Sequence, residues 1–250
     1  PEQIPYLGLL KSVLGYVDTE NYTYGELFNE INANTGGINC GVEVFDRADS
    51  TEEFQAMFSV RGKALYTKMD FLFKMIGEIL NSSKLEDTKR LYEIVASVKS
   101  RAQVNLTGAG HSTAVLRAAA YSSPMAAFQD EMAGIGYYQF IEKLEKDFEQ
   151  RKEETVEELC KLMKKILRPE NFMISYTGER ESLETVQKLA GAVKAGLGTE
   201  PVEKSEEKLT CTKKNEGFKT SGQVQYVAQT GNFKKKGLEY TGALEILKVI

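Results

Sequence analysis

The stretch Ile4-Pro5-Tyr6-Leu7-Gly8-Leu9-Leu10-Lys11-Ser12-Val13-Leu14 decides how the chain is interpreted. It is typical of an α-helix that begins through a proline, whose fixed φ angle suits the first turn. Tyr6, Leu9 and Leu10 carry a phenol and two alkyl groups. None of these groups can supply the nitrogen, carboxylate or thiolate ligands of a catalytic zinc ion. The stretch therefore predicts a helix without zinc chemistry.

Metal-ligating residues are scarce in the whole chain. His111 is the single histidine of the 250 residues, whereas a catalytic zinc site needs about three nitrogen, oxygen or sulfur ligands and an open position for water. A site with two histidines is therefore excluded. Cys40, Cys160 and Cys211 lie far apart and form no C-x-x-C pair. We predict no catalytic, cofactor-binding or metal-binding residue in this chain.

Composition and charge narrow the class of protein. A hydrophobic content of 42% against 27% charged residues is typical of a globular α/β or α+β chain of one to two domains. The net charge of -4 lacks the basic field of a nucleic-acid-binding surface. No apolar run approaches the roughly 20 residues that span a bilayer, and the first residues lack the pattern of a signal peptide. Three cysteines without evident pairing suit a reducing compartment, so we expect a cytoplasmic protein, with an organelle matrix as the alternative.

Hydrophobic spacing predicts a chain dominated by helices. A wholly polar patch at 150–154 indicates a solvated stretch or a helix break. Gly198 is placed to cap the C-terminus of a predicted helix at 182–197. The predicted helices cover 4–17, 23–31, 65–80, 85–106, 111–121, a helical region from 137 to 166, 182–197 and a last helix from about residue 240.

The sequence predicts β-strands in three places, one of which is a pair of strands. A strand at 38–45 follows the turn residues Gly36 and Gly37 and has 54–65 as its antiparallel partner. Its alternation places Ile38, Cys40, Val42 and Val44 on the side that faces helices, so Cys40 is expected to be a buried thiol. Further strands are predicted at 172–177 and 223–229.

Several stretches carry a family resemblance. They are Thr19-Glu20-Asn21-Tyr22-Thr23-Tyr24-Gly25-Glu26-Leu27-Phe28-Asn29-Glu30-Ile31, then Thr35-Gly36-Gly37-Ile38, and the regions around Gly108-Ala109-Gly110-His111 and Gly134-Ile135-Gly136-Tyr137. These stretches resemble the third domain of presequence-protease-like members of the insulinase-type (M16) zinc metallopeptidase family. The likeness covers essentially all 250 residues. In catalytic domains of that family the opening helix carries the inverted zinc motif H-x-x-E-H. The same positions here hold Tyr6, Leu9 and Leu10.

The resemblance implies an α+β fold of the insulinase/processing-peptidase type, with an antiparallel or mixed sheet packed against long helices. Such peptidases have four related domains in two halves joined by a hinge, with zinc held only by the first domain. Residues 1–200 would then be a non-catalytic third domain that lacks its first strand, 201–222 a linker, and 223–250 the opening strand and helix of a truncated fourth domain. The chain begins with Pro1, which favours an excised segment of a longer protein.

The resemblance also implies a function. The chain would be a non-catalytic segment of a zinc metalloendopeptidase that degrades unstructured peptides. It would form chamber wall and interdomain surface against the N-terminal catalytic half, which holds the zinc. The alternative is a catalytically inactive binding or scaffold protein with the same fold.

Some features allow two interpretations. His111 could be an acid/base group, but no Ser, Cys or Asp is paired with it in the sequence, which favours a structural histidine. Gly108-Ala109-Gly110 lacks the setting of a dinucleotide loop and favours a helix break. Lys234 to Lys236 could contact phosphate, although a solvated loop is the more common role.

The strand at 223–229 is expected to pair with the sheet of the first unit, in the same molecule or in an artificial dimer, with Val224 and Tyr226 facing the core.

Overall fold

A computed structural model of the chain describes residues 2–47, 49–202, 209–220 and 223–247. It confirms the α+β class, since helices pack on one antiparallel pair of strands. The elements of the described residues are α1 (Ile4–Val13), α2 (Tyr24–Asn34), β1 (Ile38–Asp46), β2 (Phe54–Gly62), α3 (Met69–Ser82), α4 (Thr88–Gly108), α5 (Gly110–Ala119), α6 (Pro124–Ala133), α7 (Ile135–Lys146), α8 (Phe148–Ile166), α9 (Leu183–Ala195) and α10 (Gly242–Leu247).

Helix α1 lies at the centre of the core. It contacts α4, α6, α7, α8 and β1. Gly8 makes the close approach to α6 and α7 possible, because a Cβ there would lie 2.5 Å from the Met132 carbonyl oxygen and 2.8 Å from the ring of Tyr137. Leu14 turns to an extended conformation with a ψ of 127°, and Gly15 follows with a φ of 86°, so α1 stops at Val13 instead of continuing to residue 17 as predicted.

Helix α2 begins at a capping box. The Thr23 hydroxyl accepts a hydrogen bond from the Glu26 amide at 3.3 Å, and the Glu26 carboxylate accepts one from the Thr23 amide at 2.9 Å. Just before it, the buried Glu78 carboxylate of α3 accepts hydrogen bonds from the backbone and side-chain amides of Asn21. These contacts provide hydrogen-bond acceptors for N–H groups at the start of the helix and in the loop that have no partner within the helix.

The strands β1 and β2 form an antiparallel hairpin. Ile38 lies opposite Gly62 and Asp46 opposite Phe54, and Gly37, with a φ of 107°, starts β1 in a backbone conformation that favours glycine. Ile38 and Cys40 pack against the core as the alternation in β1 predicts, together with Phe58 and Val60 of β2. Val42 and Val44, predicted for the same side, are half-buried and do not belong to that contact.

Cys40 corrects one detail of that prediction. Its side chain is half-buried, not fully buried, and packs against the core cluster from outside. Burial nevertheless raises the pKa of the thiol to about 12.

Two of the predicted strands are absent from the described residues. The segments 172–177 and 223–229 have no regular secondary structure, and the sheet consists of β1 and β2. The local sequence of a segment indicates only a preference for extended backbone, whereas a strand also needs a hydrogen-bonded neighbour. Val224 and Tyr226 are exposed, so the expectation that they face the core through pairing within the molecule was wrong. An artificial dimer through this segment stays a prediction.

The later helices differ from the prediction in detail. The helical region from 137 to 166 is interrupted at Asp147, between α7 and α8. Of the two alternatives for 150–154, the helix break was wrong: these residues are a polar stretch that continues α8, where Arg151 pairs with Glu154 and Lys152 with Glu149. At the end of α9 the C-cap is Gly196, not Gly198.

Candidate functional site

The positions that would hold an inverted zinc motif lie in the hydrophobic core. Tyr6 is 4% exposed, Leu9 0% and Leu10 1%. The two leucines belong to the same buried cluster as Val13 and Leu27. This face of α1 is therefore packed with side chains and offers no open position for water or substrate.

The Tyr6 hydroxyl is held by two charged residues of α8. It donates a hydrogen bond to Glu154 Oε1 at 3.0 Å and accepts one from Arg151 Nη2 at 3.0 Å. Burial and the bond to Glu154 raise the pKa of Tyr6 to about 12, so the phenol stays neutral. Its ring meets Phe140 edge to face, with centroids 4.9 Å apart. Tyr6 therefore joins α1 to α7 and α8 as a structural residue.

A second polar contact lies one turn earlier, just before α1. Gln3 donates from Nε2 to Glu158 Oε2 at 2.8 Å and accepts from Lys165 Nζ at 3.0 Å. Hydrogen bonding lowers the pKa of Glu154, chiefly from Arg151, and that of Glu158, chiefly from Gln3. Carboxylates thus lie beside α1, but they are occupied in holding α1 to α8.

The donor set at this face does not fit zinc. Its two carboxylates are separately engaged by Arg151 and by Gln3, and no imidazole or thiolate accompanies them at positions 6, 9 or 10. Across the described ranges, no group of three or more His, Cys, Asp or Glu side chains is arranged to hold a metal ion.

His111 and the cysteines lie apart from one another. His111 is exposed in the first turn of α5, where its ring centroid is 6.3 Å from that of Tyr226. Cys40, Cys160 and Cys211 are free and half-buried, and burial raises the pKa of each thiol. A raised pKa disfavours the nucleophilic thiolate, so none of the three resembles an activated catalytic cysteine.

A connected polar cluster surrounds Asp130 of α6. This carboxylate, 2% exposed, accepts hydrogen bonds from the amides of Ile135 at 3.0 Å and Gly136 at 3.2 Å, at the start of α7. Arg117 of α5 donates from Nη1 at 2.6 Å to Oδ2, the oxygen that also accepts from the Gly136 amide. The buried negative charge is thus paired with a guanidinium and with the N-terminus of a helix.

Glycines make this arrangement possible. A Cβ at Gly134 would collide with Asp130 Oδ1, and one at Gly136 would lie 2.9 Å from Asp130 Oδ2. The sequence Gly134-Ile135-Gly136 after an aspartate is the signal that could have revealed the cluster. Sequence reasoning missed it because the partner cation, Arg117, comes from a different helix.

The outer edge of Arg117 holds a second carboxylate. Its Nε and Nη2 atoms donate to Glu216 at 2.9 Å and 3.3 Å, and the Tyr121 hydroxyl donates to the same carboxylate. Hydrogen bonding from Arg117 lowers the pKa of Glu216. The guanidinium also lies 5.6 Å from the ring centroids of Tyr121 and Phe218. Chemically this cluster can bind a carboxylate.

Within the described ranges, no helix is both long enough and apolar enough to cross a membrane.

Comparisons with known proteins identify relatives over the whole length. A family model described as associated with peptidase family M16, subfamily C, matches residues 1–144. Protein HypA of Clostridium perfringens is 35% identical over 247 residues, which are 99% of this chain and 25% of that protein. Presequence protease 1, chloroplastic/mitochondrial, of Arabidopsis thaliana is 25% identical over 250 residues, 98% of this chain and 23% of that protein. The mitochondrial presequence protease of Yarrowia lipolytica is 30% identical over 150 residues, 60% of this chain and 15% of that protein. The chain spans about a quarter or less of the length of these relatives.

Proposed function

Because this chain belongs to the family associated with M16 peptidases of subfamily C, we propose that it is a non-catalytic segment of a zinc metalloendopeptidase that degrades unstructured peptides. In this proposal it supplies chamber wall and interdomain surface, and the zinc is held by the N-terminal half of the parent protein. The observation that carries the proposal is the burial of Tyr6, Leu9 and Leu10 in the core. A helix packed on the face that would hold zinc is suited to support and not to catalysis.

A second observation supports an interdomain role. The segment 172–177 has extended character in its sequence, yet among the described residues no strand pairs with it. Met173 and Ile174 in this segment, and Leu65 before α3, are exposed apolar side chains. Such side chains beside unpaired backbone favour contact with another part of a larger protein.

The proposal includes a division of the chain into domains. Residues 1–200 would be the third, non-catalytic domain, 201–222 the connection, and 223–250 the start of the fourth domain. Residues 203–208, 221–222 and 248–250 lie outside the described residues. A cytoplasmic location, or alternatively the matrix of an organelle, belongs to the proposal as well. The names of two relatives place those proteins in mitochondria or in chloroplasts and mitochondria.

Metal analysis and a peptide-cleavage assay test the proposal. The purified chain should contain no stoichiometric zinc and should not cleave a quenched fluorogenic peptide. The complete parent protein should contain zinc and should cleave that peptide. One zinc per chain, with cleavage that a chelator abolishes, would contradict the proposal.

An experiment on the complete parent protein distinguishes the peptidase segment from the alternative function, a catalytically inactive scaffold. A catalytically inactive scaffold of the same fold would lack H-x-x-E-H throughout its parent polypeptide and its partner subunits. Cleavage by the parent that stops when that histidine-glutamate motif is mutated would exclude the scaffold and leave the peptidase segment.

A further inference from the structure

The C-terminal part of the described chain crosses α5 in an irregular conformation. We call residues 209–220 and 223–230 the strap. The strap contains no helix or strand, and its composition alone indicates a flexible linker. Its side chains nevertheless make specific contacts with α5 and with Tyr121, just after that helix.

The first contact is a carboxylate site. Asp130 holds Arg117 by Nη1, which fixes the guanidinium and leaves its Nε and Nη2 edge facing the strap. This edge meets the Glu216 carboxylate in the two-point geometry that arginine and carboxylate groups favour. The Arg117 side chain is 16% exposed and that of Glu216 26%, so the ion pair is partly shielded from solvent.

The second contact is a notch at a glycine. Tyr226 packs on Gly110 at the start of α5, where a Cβ would overlap the Cδ2 and Cε2 atoms of its ring. Any larger residue at position 110 would collide with the ring. The notch and the carboxylate site lie at opposite ends of α5, about two helical turns apart.

We propose that Arg117 and Tyr121 form a carboxylate-binding socket whose occupant is Glu216, and that the socket and the Gly110 notch together fasten the strap to α5. Residues 209–220 and 223–230 then form a docked connection and not a free tether. The matching chemistry on both sides supports this occupant: a fixed guanidinium edge and a hydroxyl meet a carboxylate, and a missing side chain meets an aromatic ring.

Cys211 provides a probe of docking, because it lies in the strap and is half-buried. The rate at which N-ethylmaleimide labels Cys211 in the full chain can be measured by mass spectrometry, with Cys160 of α8 as an internal reference. Glu216→Ala removes the occupant of the socket. Gly110→Ala fills the notch while keeping a residue that favours helix. We expect each variant to raise the rate of Cys211 labelling about tenfold and to leave Cys160 unchanged.

Two matched controls isolate the effect. Gly191→Ala adds a methyl group in α9 where no atom lies within 4 Å, and Glu157→Ala removes an exposed carboxylate that pairs with Lys161 within α8. Neither should change the labelling of Cys211. Trypsin cleavage after Lys213, Lys214 and Lys219 should accelerate in the same two test variants.

Three results would overturn the proposal. If Cys211 in the unaltered chain reacts as fast as it does in urea, the strap is not docked. If the rate of Cys211 labelling is unchanged in Glu216→Ala, the socket does not fasten the strap. If that rate is unchanged in Gly110→Ala, the notch does not fasten it.

Discussion

Leu9 has no exposed surface, and its replacement by glutamate tests whether α1 could ever carry the central residue of a zinc motif. A carboxylate at this position would lie among alkyl groups without a partner, which is costly. We expect Leu9→Glu to lower the free energy of unfolding by about 3–5 kcal/mol, as measured by urea denaturation followed by circular dichroism.

The matched control for that change is Leu65→Glu. Leu65 is 76% exposed, so the same substitution there should alter the free energy of unfolding by less than about 0.5 kcal/mol. Similar losses at both positions would show that position 9 is not part of a dry core.

Gly134 tests the buried Asp130 cluster. A methyl group at this position would collide with Asp130 Oδ1 and lie 2.9 Å from its Cα atom, so the carboxylate would lose its place at the start of α7. We expect Gly134→Ala to cost about 2 kcal/mol of unfolding free energy. Gly191→Ala, where no atom lies within 4 Å, should be neutral or stabilising by up to about 1 kcal/mol, and an equal loss in both variants would contradict the role of Gly134.

At the scale of elements, the contact between α1 and α8 should depend on pH. Hydrogen bonding lowers the pKa of Glu154 and Glu158 below the usual glutamate value of 4.5. A group whose pKa is lower in the folded state stabilises the fold fully above its unfolded pKa, and that contribution is lost as the pH falls through the folded pKa. We therefore expect stability to fall as the pH drops below about 5, and to fall less steeply in the double variant Glu154→Gln/Glu158→Gln.

Urea denaturation at several pH values measures this difference. Glu157→Gln is the control, because Glu157 pairs with Lys161 inside α8 and not with α1. If the double variant and the control keep the slope of the unaltered chain, the two carboxylates do not couple α1 to α8.

The elements also show which parts of the fold the sequence could predict. The hairpin β1–β2 and the break between α4 and α5 follow from local signals, namely alternation after Gly37 and the pair Gly108 and Gly110. The segment 172–177 is also predicted to be a strand, but among the described residues no strand lies beside it, and sequence alone does not show whether such a neighbour exists. Polarity at 150–154 is compatible with a break or with a solvated helix, and ion pairs along α8 keep these residues helical.

The candidate site was predicted only in part. The loss of zinc ligands at Tyr6, Leu9 and Leu10 could be read directly from residue types. The cluster of Arg117, Asp130 and Glu216 could not, because its members are separated by 13 and by 99 residues. Charged residues are common on helices, and only the folded chain shows which of them meet.

At the scale of the whole molecule, Met173 tests contact with the remainder of the parent protein. Its side chain is 70% exposed, so Met173→Asp should change the unfolding free energy of the isolated chain by less than about 0.5 kcal/mol. If 172–177 packs against another domain, the same change should lower the melting temperature and the peptidase activity of the complete parent protein, because it places a charge in an apolar contact.

Glu157→Gln in the complete parent is the comparison for Met173→Asp. A parent protein that carries Met173→Asp and matches this control in melting temperature and activity would show that 172–177 faces solvent there too.

The packed face of α1 also sets how the chain should respond to cold. Leu9, Leu10, Val13 and Leu14 are all buried, so detaching α1 hydrates a large apolar area and carries a positive change in heat capacity. The hydrophobic contribution to α1 docking therefore weakens on cooling as well as on strong heating. Calorimetry should find α1 most firmly attached at an intermediate temperature.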